Sequence, residues 1–523
     1  MTLGDLIGSA SQAATERSVR VVADGAVLGR TVKGVAYDSR KVSPGSLFVA
    51  LKGQHADGLQ FVPQALARGA MAVVSEAEPP ADLKVPWIVV PDARRALAAL
   101  AGAFFAHPSR EMAVVGITGT NGKTTSAYLI GALFETAGTK CGILGTVVYR
   151  IGEQEREAAR TTPEAPDVQL LLREMVDAGC GACAMEVSSH ALALHRVDGT
   201  RFAAAVFTNL TRDHLDFHGD METYFLAKRR LFELLPDDGV AIINADDARG
   251  AALSGFGRRT VTYGIDHAAD VKAVEVSFSL GGLAFTADTP AGRVHVRSRL
   301  VGRPNVYNAL ATVATGVGLG LAPEIIERAL AGVAGVPGRF QVVSDSGDDF
   351  TVVVDYAHTD DALKNLLETA RPLATRQLIT VFGCGGDRDR TKRPLMGAVA
   401  ARLSDVVVVT SDNPRSEEPA AIIEEVKLGI VSPADRARPA EPARNGQRTG
   451  QARGPQLLAI VDRRAAIERA VDAAGAGDVV LIAGKGHEKY QQVGDKALPF
   501  DDVEVARAAL ARRRGSARRG PGA

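Results

Sequence analysis

The clearest chemical signature in this chain runs Ala113-Val-Val-Gly-Ile-Thr-Gly-Thr-Asn-Gly-Lys-Thr-Thr125. An apolar, β-branched run ends in Gly119, Thr120, Asn121 and Gly122; Lys123, Thr124 and Thr125 come next, and a helix-patterned stretch continues to Gly138. Strand, glycine loop and helix N-terminus together aim backbone N–H groups at phosphate. Lys123 adds a point charge for the terminal phosphates, and the Thr124 hydroxyl is placed to reach Mg²⁺. The spacing is shorter than in the ordinary phosphate loop, whose first glycine stands where this chain has Ile117. The alternative is a plain turn between strand and helix, but the preceding strand and the doubled threonine weigh against it. The loop predicts ATP binding.

Further polar groups stand at the ends of apolar runs. Glu186 closes Ala182–Val187, where a carboxylate beside the phosphate-loop strand is placed to hold Mg²⁺. The next run ends in Asp213, His214 and Asp216, the place where an open α/β sheet keeps its active site. His214 alone reads equally as a cap, a core histidine or a metal ligand. Lys228 lies on the amphipathic stretch Met221–Phe232 and, from the residues alone, is a solvated surface charge. Downstream, Asn305 suits an adenine edge, Arg339 a phosphate and Asp355 a ribose or metal, and His358, three residues on, is counted with them in the ATP site.

These groups need a scaffold, and length and patterning predict one. A chain of 523 residues, 46% hydrophobic and 23% charged, has the composition of a soluble globular protein of about three domains. The formal charge of +0 removes the main argument for nucleic-acid binding. Apolar runs such as Leu97–Phe105 are too short for a bilayer, and no basic-then-apolar leader opens the chain, so a cytoplasmic location is expected. Cys180 and Cys183 have redox-motif spacing but run into a strand; with Cys141 and Cys384 they read as reduced, buried thiols.

The fold class is α/β in three domains. Residues 1–107 form a small unit with strands at Gly34–Tyr37, Ser46–Leu51, Met71–Ser75 and Val85–Val90. Residues 108–338 form the nucleotide domain, a mostly parallel sheet covered on both faces, and residues 339–511 a Rossmann-like C-terminal domain. Two segments break the pattern and are expected to be disordered: Ser432–Pro455, and the tail 512–523 with its five arginines. No internal repeat is visible.

Taken in order, the blocks Gly119–Thr125, Glu186–His190, Thr211–Gly219, Val381–Gly397, Asp412–Arg415 and Gly484–Glu488 resemble the Mur ligases, in particular the UDP-N-acetylmuramoyl-tripeptide synthetases. The resemblance covers nearly everything except Ser432–Pro455 and the tail. It implies an ATP-dependent amide ligase that joins meso-diaminopimelate to UDP-MurNAc-L-Ala-D-Glu through an acyl phosphate, acting as a monomer on small molecules, with no nucleic-acid or membrane partner. It implies two Mg²⁺ ions, the first held by Thr124 and Glu186. It turns Lys228 from a surface charge into a carbamylated lysine that, with His214, orients the second. Tyr37, Ser39, Gln54, His55 and Ala56 would hold the uridine diphosphate end, and Thr161, Thr162, Ser188 and Arg196 the muramoyl-dipeptide. Leu194 departs from relatives that carry glutamine there and is left out of the site.

The amino-acid site is the most discriminating part. Arg388, the run Asp412-Asn413-Pro414-Arg415, and Gly484 with Glu488 follow three apolar runs whose ends should face one cleft. Asp412 and Glu488 suit an ammonium group, while Arg388 and Arg415 suit carboxylates. Asp-Asn-Pro-Arg is the family's pattern for diaminopimelate; lysine-adding relatives lack the arginine. The competing reading pairs Arg415 with Glu417 or Glu418 as a surface ion pair. Two rival functions stand beside this one: a folylpolyglutamate-synthase-like ligase, and an ATP-binding regulatory protein without ligase activity.

Overall fold

The computed structural model describes residues 1–13, 19–22, 27–53, 56–81, 85–345, 347–430 and 455–518. Three large sheets carry the chain, and Tyr490–Val493 pairs with Lys496–Pro499 in a fourth of two strands. The N-terminal sheet runs Arg20–Val22, Trp87–Val89, Ala72–Ser75, Ser46–Val49, Gly34–Ala36, with only the first pair antiparallel. The four strands expected from the apolar runs lie within two residues of their predicted bounds, and Arg20–Val22 is an added edge strand that the sequence did not reveal.

The central sheet has eleven strands. At its middle the phosphate-loop strand Ala113–Thr118 lies between Ala204–Phe207 and Ala182–Glu186, parallel to both. Neighbouring residues of that strand feed opposite faces: Val115 and Ile117 pack under the helices Lys123–Thr136 and Arg303–Gly318, while Val114 packs with Val168, Leu172 and Phe232. Burial on both faces is why these strands read as continuous apolar runs. The sheet is less uniformly parallel than expected. Val271–Ser279, Gly282–Thr289 and Gly292–Ser298 form an antiparallel meander on one edge, and Val148–Ile151 with Gln154–Glu157 another on the opposite edge. Their alternating polar residues face water, so they carry no long apolar signal.

The C-terminal sheet runs Gln341–Val342, Thr351–Asp355, Val479–Ala483, Leu378–Phe382, Val406–Val409, Gln456–Ala459, parallel after its first pair. A parallel sheet sends all its strand C-termini to one edge, so Asp355, Gly383, Thr410 and Gly484 open onto the same side. The basic tail departs from expectation. The last helix spans Asp502–Arg518, so residues from Arg512 to Arg518 are helical rather than disordered. Arg512 bonds Glu468 at 3.0 Å and Arg514 bonds Asp348, contacts that a solvated tail would lack. Residues 519–523, and all of the Ser432–Pro455 insertion except Pro455, lie outside the described residues.

Candidate active site

The phosphate loop owes its shape to two glycines. Gly119 has φ +149°, and a Cβ there would come within 1.9 Å of Thr208 Oγ1; Gly122 has φ +88°, and a Cβ would meet Asn308 Oδ1 at 2.4 Å. Side chains are excluded at both positions, so the loop stays thin where phosphates must approach. Lys123, the first residue of its helix, donates to the carbonyls of Gly119 (2.9 Å) and Thr120 (2.8 Å). Desolvation lowers its ammonium pKa, against the pull of Glu186 and Asp213. Asn121 donates to Asp361 of the C-terminal domain at 2.9 Å. Thr125 is buried in the first helical turn.

Glu186 is buried at the end of its strand and collects oxygens and donors around it. Thr124 Oγ1 donates to its Oε2 at 3.0 Å, and Thr146 contributes its backbone N–H (2.8 Å) and hydroxyl (3.0 Å). Thr146 was missed in the sequence, although it too follows a parallel strand, Cys141–Leu144, two places from the loop strand. Across the domain boundary, Arg339 Nη2 donates to Thr124 Oγ1 at 3.0 Å while its guanidinium lies 4.5 Å from the Tyr356 ring centroid.

Beside Glu186 the structure gathers Thr161, Thr162, Ser188 and Arg196. Thr161 Oγ1 is 3.0 Å from Thr146 Oγ1, Thr162 Oγ1 donates to the Glu186 carbonyl at 2.8 Å, and Ser188 N–H donates back to Thr162 Oγ1. Arg196 bonds the Thr162 carbonyl and pairs with Glu164 at 2.7 Å. Tyr37 reaches this domain from the N-terminal unit through its hydroxyl, which donates to Asp167 at 2.7 Å. Ser39 bonds Gln64 at 2.7 Å. Ala56 is exposed, and Gln54 and His55 lie outside the described residues.

Lys228 is not on the surface. Its side chain is 1% exposed, with Nζ 4.3 Å from the Tyr224 ring centroid, and burial together with Lys123 pushes its pKa well below the ordinary lysine value. Burial thus favours the neutral amine over the ammonium form. Tyr224 itself reaches the phosphate loop, its hydroxyl 3.2 Å from Thr120 Oγ1. His214 has φ +53° and lies edge-to-face with His190 at 4.8 Å. Burial lowers its pKa to about 3, despite Asp213 at 3.3 Å, which leaves the ring neutral and able to donate a lone pair. Asp216, on the short helix after it, makes none of these bonds.

Asn305 and Asp355 are engaged locally. Asn305 donates to the Val301 carbonyl at 2.8 Å and accepts from Asn308. Asp355 accepts from the backbone of Phe340 (2.7 Å) and Ala357 (2.8 Å), and burial raises its pKa. His358 bonds the Tyr356 carbonyl, and desolvation pushes its pKa down to about 4.

The three C-terminal strand ends meet as the spacing predicts. Asp412 and Asn413 are buried; Asn413 Nδ2 donates to Glu488 Oε2 at 2.8 Å. Gly484, at φ +117°, leaves room for Asp412, whose Oδ2 would otherwise lie 2.5 Å from a Cβ. Pro414 is buried, with its carbonyl packed on Gly386. Arg415 is half-buried, donates to the Gly386 carbonyl at 2.7 Å, and has no carboxylate within ion-pair distance among the described residues. Glu417 is occupied instead by Arg393, so the surface-pair reading of Arg415 fails there. Arg388 is exposed at the rim.

Three family models match in sequence order: "Mur ligase family, catalytic domain" over residues 31–105, "Mur ligase middle domain" over 117–316, and "Mur ligase, glutamate ligase domain" over 338–486. The chain belongs to the Mur ligase family. Among relatives of this Mur ligase, one from Geobacter sulfurreducens is 49% identical over 505 residues, 95% of this chain and 98% of that one. One from Solibacter usitatus is 48% identical over 482 residues, covering 92% and 93%. Both are named UDP-N-acetylmuramoyl-L-alanyl-D-glutamate–2,6-diaminopimelate ligase. A solved structure bearing that name superposes with a TM-score of 0.66 at 33% identity over 98% of this chain and all of that one. A folylpolyglutamate synthase from Mycobacterium tuberculosis shares the fold, with a TM-score of 0.58 at 18% identity over 79% of this chain and 93% of that one. No helix among the described residues is long and apolar enough to cross a membrane.

Proposed function

We propose that this chain is an ATP-dependent amide ligase of peptidoglycan precursor synthesis, adding meso-diaminopimelate to UDP-MurNAc-L-Ala-D-Glu. The observation that carries the reading is Arg415, a half-buried guanidinium with no carboxylate within ion-pair distance among the described residues, on the same strand-end segment as the buried Asp412 and as Asn413, which bonds the half-buried Glu488. A substrate end bearing both a carboxylate and an ammonium satisfies both sides of that cleft. L-lysine would leave the arginine unpaired. A folate substrate has no counterpart for the N-terminal unit that joins the central domain through Tyr37 and Asp167.

The chemistry follows from the leaving-group problem. A carboxylate resists attack by an amine because oxide is a poor leaving group; transfer of the ATP γ-phosphoryl group converts it to an acyl phosphate. The amine nitrogen then bonds to the acyl carbon and gives up a proton, and the tetrahedral intermediate collapses by breaking the C–O bond to the departing phosphate. Asn209 holds the backbone N–H groups of Thr120 and Asn121, so those of Gly122 and Lys123 at the helix start are the ones assigned to the ATP phosphates, with Lys123 and Arg339 as cations. Thr161, Thr162, Ser188 and Arg196 place the dipeptide carboxylate beside Glu186.

The donors fit Mg²⁺. Thr124 Oγ1 and Glu186 Oε2, 3.0 Å apart, are hard oxygen ligands for one ion, with His214 and a carbamate on Lys228 for a second. In its neutral form, which burial favours, the Lys228 amine can attack the carbon of CO₂, losing a proton and gaining an anionic oxygen pair. Bound Mg²⁺ would supply charge neutralisation where phosphoryl and carboxylate oxygens crowd together. A monomer working on small molecules in the cytoplasm is part of the same proposal. Phosphate release with UDP-MurNAc-L-Ala-D-Glu, ATP and each amino acid in turn tests the reading. Release with diaminopimelate is the expected result, and release with L-lysine or none of them overturns it.

A further inference from the structure

Lys485 stands between the two glycines of Gly484-Lys485-Gly486 and is 0% exposed. A fully buried ammonium is costly unless its surroundings compensate. Its surroundings are the amino-acid cleft. Nζ donates to Asn413 Oδ1 at 3.0 Å and to Glu488 Oε2 at 3.1 Å, and lies 3.9 Å from Asp412 Oδ1. Asn413 is thereby locked: its Oδ1 also accepts from the Gln492 backbone at 2.9 Å, and its amide donates to the same Glu488 oxygen at 2.8 Å. Two donors saturate Glu488 Oε2. None of the described residues hydrogen-bonds Glu488 Oε1 or either carboxylate oxygen of Asp412, which leaves them as acceptors for a substrate ammonium.

The charges matter as much as the bonds. Asp412 and Glu488 bring two negative charges to one point, and Lys485 cancels one of them. One uncompensated negative charge remains, matching one ammonium group, while Arg415 stands apart to take a carboxylate. The other buried cation nearby, Arg463, is already neutralised by Asp502 at 2.7 Å. We infer that Lys485 is a positioning residue for the amino-acid substrate: it fixes the orientation of Glu488 and Asn413, and it sets the charge of the cleft so that a zwitterionic end is preferred to a bare ammonium.

This inference rests on the diaminopimelate reading, and the two fail differently. Steady-state kinetics of full-length Lys485→Met and Lys485→Gln, with each of the three substrates varied, provide the test. Losing the charge-assisted bonds should raise KM for diaminopimelate by about tenfold or more, with KM for ATP and for UDP-MurNAc-L-Ala-D-Glu little changed. The preference for diaminopimelate over L-lysine should narrow in both variants, and Lys485→Arg, which keeps the charge, should recover part of it. An unchanged KM for diaminopimelate, or equal loss on all three substrates, would overturn the inference. Failure of both neutral variants to fold, read by thermal unfolding, would assign Lys485 to the fold and overturn it as well. A wild-type enzyme inactive with diaminopimelate would instead sink the functional reading beneath it.

Discussion

Arg393 grips Glu417 with both terminal nitrogens, at 2.9 and 2.7 Å, so this carboxylate, two residues along the chain from Arg415, is not left to neutralise it. Arg415→Met should therefore cost recognition of the distal carboxylate rather than stability. Unpairing a buried charge costs roughly 2–5 kcal/mol, so the ratio of kcat/KM for diaminopimelate over L-lysine should fall by about 30-fold to several thousand-fold. An unchanged ratio would remove Arg415 from the site.

Lys228→Ala should nearly abolish ligation, a loss on the order of 10²-fold or more if an oriented anion is missing. Short carboxylates such as acetate, added to the variant, should restore part of the rate by filling the same space. The carbamate is refuted by full activity in the unassisted variant.

Arg339 joins two domains at Thr124, and its loss should be felt mainly by ATP. Arg339→Met removes a charge-assisted bond worth about 1.5–3 kcal/mol, so KM for ATP should rise roughly ten- to a hundredfold while KM for the amino acid changes little. Titration of nucleotide binding to the variant would check this directly.

Burial holds His358 at about 4 and His487 at about 3, both below the ordinary histidine value of 6.5. The folded protein keeps both rings neutral, whereas the unfolded chain protonates them below that value. Their contribution to stability is therefore complete above pH 6.5 and lost as the pH falls from there towards 4 and 3. Thermal unfolding followed from pH 7 to pH 4 should show a falling midpoint, with a shallower fall in His358→Gln. Equal slopes in the variant and the parent would contradict the burial argument.

Residues on the central parallel strands were the most legible. Glu186 and the phosphate loop follow apolar runs buried on both faces, and the bonded neighbours Ala182–Glu186 and Ala113–Thr118 bring them together. The meander Val271–Ser298 was not legible, since its outward residues alternate with its inward ones. Lys228 was legible only through family resemblance: an amphipathic helix gives no local sign that one of its lysines points inward under Tyr224. Thr146 and Asp361 act through partners 40 and 240 residues away, and no short window of sequence contains both ends. The arginines after residue 511 looked like a solvated run because their partners, Asp348 and Glu468, are equally remote.

The groups proposed to choose the incoming amine all hang from one edge of the C-terminal sheet, whereas those proposed to activate the acid hang from the central one. Choice of building block and supply of energy are thus separable inventions. A grafted edge from a relative with different tastes should redirect the cross-link chemistry of the wall without retuning the engine that drives it.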